Sequence, residues 1–163
     1  MNREATRHLL SLLVLALGSV FAYDARAGTP LRVEVSVTNS LGLEAVVFTI
    51  TNSSDVAVEI DEAALPWGNR YSVLLVALLK KAQEPVRAGY PVDDVFVAKP
   101  VKIAPGRQLR GTVALSEHFG ELAAVRKRDD LIVFWYFEPK DTGGKALGQY
   151  GGWVLLPRNA KEG

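Results

Sequence analysis

From Leu31 onward the chain alternates. In LRVEVSVT, Leu31, Val33, Val35 and Val37 are apolar, while Arg32, Glu34, Ser36 and Thr38 are polar. Successive side chains leave a strand on opposite sides, so a period of two describes an extended segment with one face on a core and the other in water. A helix with this spelling would scatter its apolar residues around its whole circumference and bury no face cleanly. The pattern then repeats. LEAVVFTIT sets Val46, Phe48 and Ile50 on one face, and VAVEIDE sets Val56, Val58 and Ile60 against Ala57, Glu59 and Asp61. Asn39-Ser40-Leu41-Gly42 and Asn52-Ser53-Ser54-Asp55 supply turn chemistry between them. Three strands at such short spacing predict a meander or Greek-key opening.

ALPWGN, residues 64–69, interrupts the run with Pro66 and Gly68. Val73 to Leu79 is apolar on every face; its strand neighbours and the stop at Pro85 favour a strand over a buried helix. A short edge strand is expected around Val95-Phe96-Val97. A hairpin pair is expected on either side of Pro105-Gly106, where proline and glycine suit a type II turn. Residues 116–130 are the place for a short helix or crossover, and the basic cluster Arg126-Lys127-Arg128 before Asp129-Asp130 reads as a solvated turn. Leu131 to Phe137 and Gly152 to Leu156 supply the last strands. Neither face of Leu131–Phe137 carries a charge, which predicts a central strand covered on both sides, with Phe134, Trp135, Tyr136 and Phe137 mostly in the core.

Seven to nine strands with little helix predict an all-β chain, arranged as a two-sheet antiparallel β-sandwich. FTITNSSDVAVEID, followed later by KIAPGRQLRGTVAL, resembles the strand–turn–strand and Pro-Gly hairpin of immunoglobulin-like sandwich domains of exported bacterial proteins, over residues 31–115. The Cys…Trp…Cys framework of antibody domains is absent. The resemblance implies a fold and an adhesion, scaffold, inhibitor or assembly role, and fold analogy alone supplies no function.

The first residues predict export. MNREATRH is followed by the apolar run Leu9–Ala22 and then by Ala25-Arg26-Ala27, a small-x-small exit. The apolar run suits a signal peptide and is short of the ~20 residues of a membrane span. Residues 1–27 are therefore expected to be a cleaved leader, and 28–163 a single domain, periplasmic or secreted, with no stable membrane anchor. The chain has no cysteine, so no disulfide and no thiolate metal site is available. Removing Arg3, Arg7, Arg26, Glu4 and Asp24 from 19 basic and 18 acidic residues leaves 16 of each. A neutral chain with interspersed charge lacks the basic stripe that nucleic acid requires.

Catalytic motifs are weak. His118 is the one histidine after residue 27, too few for a zinc site without cysteine, and no metal or cofactor is expected. Ser116-Glu117-His118 are sequence neighbours, whereas triads assemble through the fold. Asp141-Thr142-Gly143 spells the aspartic-protease tripeptide, yet it follows Glu138-Pro139-Lys140 and fits a hairpin loop better. Gly144-Lys145 continues into Ala146 and is no phosphate cradle. The carboxylate pairs Asp61-Glu62, Asp93-Asp94 and Asp129-Asp130 could meet around Ca²⁺, but no calcium-loop spacing supports this and solvated loop ends are expected. Asn52-Ser53-Ser54 is formally a glycosylation sequon and more simply a turn. Loop aromatics beside glycines offer the better binding candidates: Trp67 and Tyr71 around ALPWGN, and Tyr150 and Trp153 around Gly151-Gly152. Such a patch suits a protein, peptide or glycan, unless the tryptophans plug the ends of the fold. The expected function is a non-enzymatic binding or scaffold module acting through loops or a sheet edge. The alternative is a cell-envelope hydrolase using loop carboxylates and His118.

Overall fold

A computed structural model describes residues 21–22, 28–40, 43–89 and 99–159. The fold over these residues is mostly β, in three antiparallel sheets, as the period-two patterning requires. The first sheet runs β1 (Phe21–Ala22), β2 (Leu31–Ser40), β3 (Leu43–Asn52), β7 (Gln108–Ala114). A second pairs β4 (Val58–Asp61) with β6 (Pro100–Ile103). The third runs β5 (Val73–Leu79), β8 (Leu131–Phe137), β9 (Tyr150–Leu156). Two short helices, α1 (Leu115–His118) and α2 (Leu122–Arg126), occupy the expected crossover. The proposed edge strand around Val95 lies outside the described residues.

Register follows the apolar pattern. Leu31, Val33 and Val35 lie opposite Asn52, Ile50 and Phe48, so the inward residues of β2 and β3 share one face. A slip of one residue would turn that whole set into water. Val56, expected to begin β4, is 63% exposed, and the buried alternation starts at Val58. At Pro105-Gly106 the glycine has φ +70°, the left-handed backbone that the type II turn needs.

All three sheets contribute to one core cluster. The Phe48 and Trp135 rings meet edge-to-face at 5.6 Å and 86°, joining β3 to β8. Tyr150 Oη donates to the Leu31 carbonyl at 3.1 Å and so ties β9 to β2. Each large side chain buried this way contributes about 1.5–3 kcal/mol. Two glycines make room for indole rings. A Cβ on Gly111 would lie 2.0 Å from the Trp67 ring, and one on Gly152 would lie 3.2 Å from the Trp135 ring.

Two expectations need correction. Asp129 and Arg126, read as part of a solvated turn, are buried. Arg126 pairs with Glu44 on β3 and donates to the Pro157 carbonyl, while Asp129 accepts from Lys81 N at 2.9 Å. The second concerns β8. Leu131, Val133, Trp135 and Phe137 are buried, but Phe134 and Tyr136 are 41% and 38% exposed. The strand is central to its sheet, yet among the described residues the sheet is covered on one face only.

Candidate functional site

Among the described residues, the uncovered face of the third sheet is the most unusual surface. Side chains directly opposite in antiparallel strands share a face, and the register sets out three rows. Tyr136 lies between Leu74 and Gly151, Phe134 between Val76 and Trp153, and Ile132 between Leu78 and Leu155. No position in these rows carries a charge. Leu74 is 61% exposed, Val76 43% and Trp153 42%, beside the exposed Phe134 and Tyr136. An aromatic side chain presents ~150–250 Å², so these five leave roughly 400 Å² of contiguous apolar surface in water. Patches of that size on a folded chain commonly mark interaction sites. The outward face of β2, with Arg32 and Glu34 paired on it, shows what an ordinary wet strand looks like in this molecule.

Charge stays at the rim. Tyr136 Oη donates to Glu138 at 3.0 Å at one end. At the other end Lys80 Nζ meets Asp130 at 3.2 Å, and the Arg158 N–H donates to Asp130 at 2.8 Å. That backbone hydrogen bond is the main cause holding the Asp130 carboxyl below its ordinary pKa, with Lys80 adding to it.

The four aromatics expected to form a loop patch divide into three environments. Trp153 lies on the apolar face. Tyr71, 62% exposed, adjoins it across a shallow cleft shared with Leu74 and Tyr136. Trp67 is half-buried, with its ring laid over Gly111. Tyr150 is a core residue at 2% exposure; its hydroxyl, with one proton to donate, lies 3.1 Å from the carbonyls of both Leu31 and Leu147, and burial pushes its pKa up. Leu74, Val76, Phe134 and Tyr136 were missed because a charge-free strand spells the same whether its second face is covered or bare.

The remaining chemical candidates are dispersed. His118 lines a cleft of about 530 Å³ with Trp67, Arg70 and Glu117, and burial, then the Arg70 charge, lowers its pKa. Asp141 belongs to a different cleft, beside Lys102 and Leu147. Its Oδ1 accepts from Gly143 N at 2.9 Å and Lys145 N at 2.8 Å, which closes the β8–β9 loop as an Asx turn. Asp61 Oδ1 accepts from Ala63 N at 3.0 Å and caps a 3-10 turn at Glu62–Ala64. Among the described residues no three histidine or carboxylate groups converge as metal ligands, and Asp93-Asp94 lies outside them. Asn52 is fully buried, and its amide nitrogen donates to Val56 O at 2.7 Å and Ile103 O at 2.9 Å, so the sequon nitrogen is spent inside the fold. Among the described residues no helix is long and apolar enough to cross a membrane.

Comparison with protein-family models, with curated proteins and with solved structures finds no match to the chain.

Proposed function

We propose that this chain is an exported, non-enzymatic binding or scaffold module, periplasmic or secreted, whose docking surface is the outward face of β5, β8 and β9. The observation that carries the proposal is the exposure of Leu74, Val76, Phe134, Tyr136 and Trp153, between 38% and 61%, on one charge-free sheet face. Side chains on strands hold their positions better than side chains on loops, which suits recognition. Within the same proposal, the first and third sheets form an immunoglobulin-like β-sandwich closed over the Phe48–Trp135 contact; the shared core cluster supports this. A protein or peptide surface suits the face better than a glycan. A sugar needs several hydrogen-bonding partners, whereas the rows offer two polar side-chain groups, the Trp153 indole N–H and the Tyr136 hydroxyl already donating to Glu138.

A photoreactive residue tests the reading directly. Placed at position 134, it is expected to cross-link protein in an envelope extract, while the same group at position 32, on the wet face of β2, is not. Equal labelling from both positions, or none from 134, would refute the proposal.

A further inference from the structure

Resting on that reading of the sheet face, we infer that its occupant is a second copy of this chain, packed face to face about a two-fold axis that runs along β8. Isologous pairing requires a surface that complements itself. The rows described above have this property. An axis along β8 carries β5 of one copy over β9 of the other and keeps each residue in its row. Leu74, the most exposed of the five, then stands over the partner's Gly151, where no side chain occupies the corner. Val76 stands over Trp153, pairing the small side chain of the middle row with its largest. Leu78 meets Leu155, and Phe134 meets its own copy on the axis. An axis at right angles to the strands would instead oppose Trp153 to Trp153, two bulky rings in one place.

The remaining arguments are size and charge. Two such faces remove about 800 Å² through the five exposed residues. The half-buried Leu78, Ile132 and Leu155 bring this to about 1,000 Å², the lower bound for a specific interface. That area predicts a reversible dimer. The three rows contain no ionised group, and the Glu138 carboxylate bonded to Tyr136 Oη lies beyond them at the rim, so no charge must be fully desolvated to form the contact. Residues 28–163 are formally neutral, so no net repulsion opposes approach. Sheets packed in this way lie ~10 Å apart with strands roughly aligned.

Sedimentation equilibrium of the purified chain tests the inference, with circular dichroism confirming the fold of every variant. Wild type is expected to dimerise at concentrations of about 10–100 µM, the range suited to a small interface. Phe134→Glu is expected to be a monomer, since it places two charges on the axis. Gly151→Leu adds apolar surface yet fills the corner that Leu74 enters; it is expected to weaken the dimer about tenfold. Adding Leu74→Ala to it is expected to recover most of that loss. A wild type that stays monomeric throughout the range overturns the inference; if position 134 still cross-links a different protein, the docking face survives without it. A dimer indifferent to Phe134→Glu, or to Gly151→Leu, likewise overturns the proposed contact.

Discussion

Replacing Glu44 by glutamine tests how the C-terminal tail is fastened. The Glu44 and Arg126 side chains are 10% and 5% exposed, and the guanidinium divides its donors between the Glu44 carboxylate and the Pro157 carbonyl. Asn159 N donates to the Arg126 carbonyl at 2.9 Å, so the same arginine anchors the chain leaving β9. The pair is imperfectly satisfied, because Arg126 Nε and Glu44 Oε2 are buried without a partner. Glu44→Gln keeps the shape but leaves a buried cation uncompensated, a loss of about 3–5 kcal/mol. At ~2–4 °C per kcal/mol for a chain of this size, the midpoint should fall by roughly 6–20 °C. Replacing both partners, Glu44→Leu with Arg126→Met, removes the desolvation of both ions and is expected to be neutral or stabilising. Thermal and urea unfolding, each followed by tryptophan emission, measure the midpoint and the free energy of each variant. A Glu44→Gln loss below about 1 kcal/mol, or a double variant as unstable as the single one, would refute this account of the pair.

Three further outcomes are expected. Gly111→Ala places a methyl group 2.0 Å from the Trp67 ring, so the ring must leave its seat and indole emission should shift to the red with a loss of about 1–3 kcal/mol. Asn52→Ala strands the Ile103 carbonyl and the Ser54 N–H, groups now 2.9 and 3.0 Å from the Asn52 amide, and should cost about 2–3 kcal/mol in chemical denaturation. His118 has a folded pKa below the ordinary 6.5, so the unfolded chain takes up its proton first as pH falls. Its contribution to stability is present above pH 6.5, is lost as pH falls toward the lowered folded value, and then levels off; His118→Gln should flatten that part of a stability–pH curve.

The strands were legible because they depend on near neighbours in sequence. Leu31 to Val37 and Leu131 to Phe137 announce their inward faces by alternation or by aliphatic content, and the structure buries the inward sets, Val37 only in part. The type II turn at Gly106 and the Asx loop at Asp141 were legible for the same reason: a few adjacent residues decide them. What failed depends on distant partners. Arg126 and Asp129 read as solvated because their spelling is a charge run; burial comes from Glu44, Pro157 and Lys81, none of them near in sequence. Tyr150 and Trp153 stand three positions apart, which in one strand sets them on opposite faces, but a strand read as starting at Gly152 leaves Tyr150 in a loop, whereas β9 starts at Tyr150. Tyr150 shares the parity of the buried Val154 and so faces the core, and Trp153 takes the bare face.

The order in which the strands pair has a bearing on when the newly made chain can close its interior. The β2–β3 hairpin closes through adjacent residues, but β5 pairs with β8, and Phe48 finds its ring partner only at Trp135. A chain threaded N-terminus first must therefore wait for nearly its last segment before the interior can shut. Until β8 emerges, β5 is paired only at its end, where Leu79 N and the Ala77 carbonyl bond to Glu84 and Val86, and the rest of Val73 to Leu79 is a greasy ribbon open to any holdase or any stray strand nearby. Late closure makes delay in delivering the final quarter the moment of greatest danger for the newly made molecule.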